Sequence, residues 1–130
     1  MQTKALLTTT AAIELPTGAA LLLAPSLVAE LLVGEALGSG ASILVGRVAG
    51  AALLAIGVSC CAERETDRTG DHAGLPLGLL IYNGMVAILL AQAAQVGRMH
   101  GPLLWPAVVA HSLLALWCAG RVLHPASALA

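Results

Sequence analysis

The sequence predicts an all-α fold: a single membrane domain over residues 1–130 in which four antiparallel transmembrane helices form an integral bundle. Three observations predict it. Four apolar runs, at residues 11–33, 42–62, 75–96 and 103–123, each approach the roughly 20 residues that a helix needs to cross a hydrocarbon core of about 30 Å. Of the 130 residues, 58% are hydrophobic and 10% charged, whereas a soluble domain has about 45–50% and 25%. Within the runs, glycine, alanine and the few polar residues recur at spacings of 4, 7 and 11, which place them on one face of a helix. Phenylalanine is absent and aromatics make up 2% of the chain, so close backbone packing has to take the place of ring stacking.

The first run holds Glu14-Leu15-Pro16-Thr17-Gly18 and continues well past that glycine. No small-residue cleavage site followed by a polar segment is evident, so the run is expected to be a retained helix and not a removed leader. Gly34-Glu35-Ala36-Leu37-Gly38-Ser39-Gly40 punctuates the chain before the second run. Glu63-Arg64-Glu65-Thr66-Asp67-Arg68-Thr69-Gly70-Asp71-His72 follows that run and is the densest cluster of charge in the chain. Gly97-Arg98-Met99-His100-Gly101-Pro102 joins the third run to the fourth. Connections this short make neighbouring helices antiparallel. Lys4, Arg64, Arg68 and Arg121 then share one side and Arg47 and Arg98 the other. The excess of basic residues predicts a multi-pass protein with both termini in the cytoplasm. Trp105 and Trp117 suit the two interfaces of the fourth helix.

The small residues predict which faces meet. Gly46, Gly50, Gly57 and Cys61 form one stripe on the second run, and Gly46 with Gly50 is a GxxxG pair that lets backbones approach. Ala107, His111, Ala115 and Cys118 form a stripe on the fourth. Asn83 shares a face with Ala87, Ala94 and Gly97, and Glu14 shares one with Gly18, Pro25 and Ala29. If these faces line the bundle, Glu14, Asn83 and His111 point inward and form the candidate proton or cation site. Glu30 and Gln92 fall off the stripes and leave a second polar surface for another copy or another membrane subunit.

Glu14 has two readings at this level. Pro16 has no amide hydrogen, which frees the carbonyl of Ala12 and loosens the helix beside the carboxyl group. A carboxyl in an apolar place favours its neutral form, which suits proton exchange. If the hydrocarbon begins near Ala11, however, Glu14 lies only about one turn deep, at 1.5 Å per residue, and can reach water. Glu30 and Arg47, at similar expected depth on consecutive helices, form a candidate structural ion pair. His111 is the sole histidine well inside a run, so two-histidine haem ligation within one chain is not expected. Cys60, Cys61 and Cys118 approach one level and offer thiols to a soft metal. Without CxxC or mixed His/Cys spacing they read more simply as small apolar residues, so no metal is expected. Asp67, Asp71 and His72 lack the spacing of a metal site. No nucleophile-and-base set or phosphate loop is present, so neither an enzyme nor a cofactor is expected. A net charge of −1 offers no basic field for nucleic acid.

Glu14-Leu15-Pro16-Thr17-Gly18 through Pro25, then Gly46-Arg47-Val48-Ala49-Gly50, Tyr82-Asn83 and Leu104-Trp105-Pro106-Ala107 with His111, resemble a group of small four-helix bacterial integral membrane proteins of unassigned activity. Glu14 and the helix count also resemble small multidrug resistance transporters, which use a glutamate in the first helix to exchange protons for cationic drugs. The aromatic residues such transporters place around that glutamate are missing here, and the charged middle connection is longer. The leading expectation is an accessory subunit or homo-oligomer in the lipid bilayer that acts through helix packing. The second is a proton-coupled exporter of small molecules or cations using Glu14, with Asn83 and Cys61 as its neighbours and His111 deeper. The third is carriage of a soft metal by the three thiols.

Overall fold

The computed structural model describes residues 2–65 and 74–123. Among them are five α-helices and no strand: α1 (Gln2–Leu23), α2 (Pro25–Val33), α3 (Gly40–Glu65), α4 (Gly74–Gln95) and α5 (Leu104–Leu123). Four of these, over Thr3–Leu23, Gly40–Arg64, Gly74–Gln95 and Leu104–Leu123, are long and apolar enough to cross a membrane. The charged connection at 66–73, with Asp67, Arg68, Asp71 and His72, lies outside the described residues, as do 124–130.

The first expected helix, 11–33, is corrected in two ways. It begins at Gln2, nine residues early, and it is broken at Ala24 into α1 and α2. The early start is compatible with three consecutive threonines because Thr8 turns its hydroxyl back to the carbonyl of Lys4 at 2.8 Å. The break follows from Pro25, the first residue of α2. Its ring disfavours helical backbone in the residue before it, and Ala24 sits at φ −139°, ψ 61°. Pro16, by contrast, lies inside α1 without ending it. The other three helices depart from their expected bounds of 42–62, 75–96 and 103–123 by three residues or fewer.

Local chemistry fixes the element ends. Ser39 and Ser42 cap α3 reciprocally: the Ser39 hydroxyl accepts from the Ser42 amide and the Ser42 hydroxyl from the Ser39 amide, both at 3.1 Å. Gly34 closes α2 in the left-handed region, φ 84°, and its amide donates to the carbonyl of Glu30 at 2.9 Å.

α1 packs along α3, and α4 along α5. On α3, Gly46 meets Pro25, Gly50 meets Gly18 and Leu22, and Gly57 meets Leu15, so contacts advance along one helix as they retreat along the other. The two pairs are tied at both ends. At one end Leu6, Leu7 and Ala11 of α1, Cys60 of α3, Leu79 of α4 and Leu114 and Cys118 of α5 form a buried apolar core. At the other, the segment joining α4 to α5 docks on the last turn of α2. There the amides of His100 and Leu103 donate to the carbonyls of Val33 and Leu31 at 3.2 and 2.9 Å, which satisfies carbonyls that a helix terminus leaves without partners. A side chain at Gly101 would collide with the backbone of Leu31 and Leu32. Large apolar side chains are exposed on the outside of all five helices, among them Leu23, Leu27, Leu44, Ile81 and Leu113.

Candidate functional site

Between the two tied ends the helix pairs stand apart around a chamber of about 910 Å³. Ile13, Glu14, Thr17 and Leu21 line it from α1, and residues from Pro25 to Val33 from α2. Ser42, Val45, Gly46, Ala49 and Leu53 do so from α3, Tyr82, Val86 and Leu90 from α4, Leu103 from the segment before α5, and Pro106, Ala107, Ala110 and His111 from α5. The walls are almost wholly apolar. α3 and α4 both face the chamber yet make little contact with each other. Ala41, Val45 and Ala49 of its α3 wall are exposed, so the chamber is open to the outside along α3.

Glu14, Tyr82 and His111 gather toward its core end. Glu14 is 1% exposed and receives a hydrogen bond on Oε2 from the Tyr82 hydroxyl at 3.3 Å. Its Oε1 is buried and has no partner. The Tyr82 ring meets the His111 imidazole edge to face, with centroids 5.8 Å apart. His111 Nδ1 lies 2.8 Å from Asn83 Oδ1, and Asn83 Nδ2 donates to the carbonyl of Leu79 at 2.8 Å. Asn83 is fully buried and lies outside the chamber wall, so it supports His111 from behind. One helical turn before Glu14, Thr10 is also fully buried with its hydroxyl unpartnered. A buried polar atom without a partner costs about 1–3 kcal/mol, and more if it is charged, so these two oxygens mark the place where the fold leaves an interaction unmade.

The early start of α1 removes one premise of the second reading, a helix that begins near Thr10. Glu14 lies twelve residues past Gln2, about 18 Å along the axis at 1.5 Å per residue and not one turn. Of the other expected site residues, Asn83 and His111 are in mutual contact, and Tyr82 links His111 to Glu14. The sole tyrosine, inside an apolar run where a hydroxyl needs a partner, was the signal for that missing link.

Gly46, Gly50 and Gly57 all lie against α1 or α2. Ala107 lines the chamber and Ala115 is half-buried. Glu30 and Arg47, the candidate ion pair, are both exposed. The break at Ala24 makes α2 a separate segment, so depth counted along one straight helix no longer applies to Glu30. Cys60 and Cys118 are sealed in the core, with Cys61 at its edge. Among the described residues no three His, Cys, Asp or Glu side chains converge as a metal site would require, so the three thiols do not approach one point as metal carriage requires. No protein family, characterised protein or solved structure matches this chain.

Proposed function

We propose that the chain is an integral membrane protein of four antiparallel spans whose chamber binds a small amphipathic molecule, with Glu14 as the group that exchanges a proton for a cationic ligand. One observation carries this reading: a fully buried carboxyl group with a free oxygen at the polar end of an otherwise apolar chamber of about 910 Å³. The volume lies within the range of about 300–1,000 Å³ typical of ligand pockets, which are largely apolar with a few placed polar groups. A charged carboxylate in such a place is costly unless neutralised, so a proton and a cation compete for Glu14.

The outward apolar side chains support a bilayer as surroundings, the distribution of basic residues supports both termini in the cytoplasm, and the resemblance to small four-helix bacterial membrane proteins supports a bacterial inner membrane. The opening along α3 then faces lipid and admits ligands dissolved there. No group in the chamber is arranged as nucleophile and base, which supports binding or transport over catalysis.

In sealed vesicles holding the purified chain, an imposed proton gradient should drive flux of a lipophilic cation, and Glu14→Gln should abolish it. Flux that persists in that variant would sink the role given to Glu14.

A second reading, a homo-oligomer or accessory subunit, is favoured by Glu30 and Gln92, polar residues exposed on an apolar exterior. Mass measurement after gentle extraction should then find a defined assembly, and a monomer throughout would remove this reading.

A further inference from the structure

The hydrogen bonds behind the chamber wall restrict the ligand further. Asn83 Nδ2 donates to the carbonyl of Leu79, and a carbonyl can only accept. The amide orientation is therefore fixed, with Oδ1 turned toward His111. Oδ1 is itself only an acceptor, so the proton in that 2.8 Å contact belongs to His111 Nδ1. A neutral imidazole held in this tautomer keeps a bare lone pair on Nε2. His111 lines the chamber, and Nε2 is not among the buried atoms without a partner, so it is open to a ligand. Tyr82 directs its hydroxyl hydrogen to Glu14 Oε2, and Oε1 is buried without a partner, so an ammonium reaches it only as the carboxyl group turns toward the chamber. On the chamber wall at this end the hydroxyls of Tyr82 and Thr17 already donate, so the wall presents acceptors, while the unpartnered hydroxyl of Thr10 lies outside the wall.

Resting on the proposed exchange at Glu14, we infer that the ligand is a lipophilic amine bearing N–H donors, its ammonium shared between Glu14 and His111 Nε2 and its hydrocarbon chain along the apolar walls. A quaternary ammonium of equal chain length satisfies the charge of Glu14 and leaves His111 Nε2 unpartnered. A long-chain alcohol offers a donor and no charge. Only the amine supplies both.

The test is calorimetric binding to the purified full-length chain in a non-ionic detergent at about pH 8, above the ordinary histidine range. The probes are dodecylamine, dodecyltrimethylammonium and dodecanol. Dodecylamine should bind at least roughly tenfold more tightly than either of the others, as expected for a hydrogen bond to a charged donor. His111→Phe should bring the two cations to similar affinity, and Glu14→Gln should abolish binding of both. Equal affinity of the wild type for the two cations overturns this inference and leaves the proposed exchange at Glu14 standing. Failure to bind either cation overturns the proposed exchange itself. The wild-type ratio decides the inference even if the His111 variant does not fold.

Discussion

The two sides of α3 use small residues to opposite ends. Where α3 meets α1, glycine removes space: a methyl group on Gly50 would lie 2.7 Å from the carbonyl oxygen of Gly18, and one on Gly18 would lie 2.8 Å from that of Gly50. Where α3 faces α4 and α5, residues such as Val45, Ala49 and Leu53 border the chamber and the helices do not close. In lipid, helix association is driven by close packing and by polar groups that find partners, because hydrocarbon tails are as apolar as leucine. The α1–α3 seam meets that requirement along its length. The chamber side does not, and the fold holds it open by ties at its two ends: the buried core around Leu6, Cys60 and Cys118, and the docking of the 97–103 segment on α2.

Substitutions can break or sharpen that contrast. The largest effect is expected at the seam. Gly50→Val places new atoms against backbone that cannot yield as a side chain can, and should destabilise the chain by about 1–3 kcal/mol. Its unfolding midpoint in detergent should fall clearly, and an unchanged midpoint would show that the seam is looser than described. On the chamber side the same kind of enlargement should be tolerated. Ala107→Leu projects into empty space, so stability should move by no more than about 0.5 kcal/mol, while cation binding weakens as the leucine takes up room. A loss of stability as large as that of Gly50→Val would mean that the chamber is filled. The smallest effect is expected at Gly84, where an added methyl meets nothing within 4 Å. Gly84→Ala should stabilise α4 by up to about 0.5–1 kcal/mol, as alanine does inside a helix. Any destabilisation there would reveal a close neighbour of α4.

What was legible in the sequence were the features that one helix carries by itself. Four apolar stretches near spanning length, and the Gly46, Gly50 and Gly57 stripe, can be read from periodicity because both depend on spacing along a single segment. Glu14 could be singled out for the same reason, but its depth could not, since the helix runs through Thr8, Thr9 and Thr10, which composition alone places outside the apolar run. The break at Ala24 was concealed because Pro16 and Pro25 look alike in sequence, and only one of them interrupts the helix. The chamber itself was illegible. Periodicity tells which residues share a face, whereas a void depends on how far apart two faces are held, and that distance is set here by contacts at the far ends of the bundle. Tyr82 shows the same limit on a smaller scale: its place beside both Glu14 and His111 joins α1, α4 and α5, and no spacing within one helix records it.

The central claim is that Glu14 is a reactive carboxyl at the polar end of a ligand chamber, and its chemical accessibility to an apolar reagent tests this most directly. Dicyclohexylcarbodiimide, which attacks carboxylic acids in apolar surroundings, should modify Glu14 in the intact protein, and dodecylamine should protect it in proportion to occupancy. Peptide mass spectrometry reads both. Modification confined to the exposed Glu30 and Glu35, or labelling of Glu14 that dodecylamine leaves unchanged, would contradict the account.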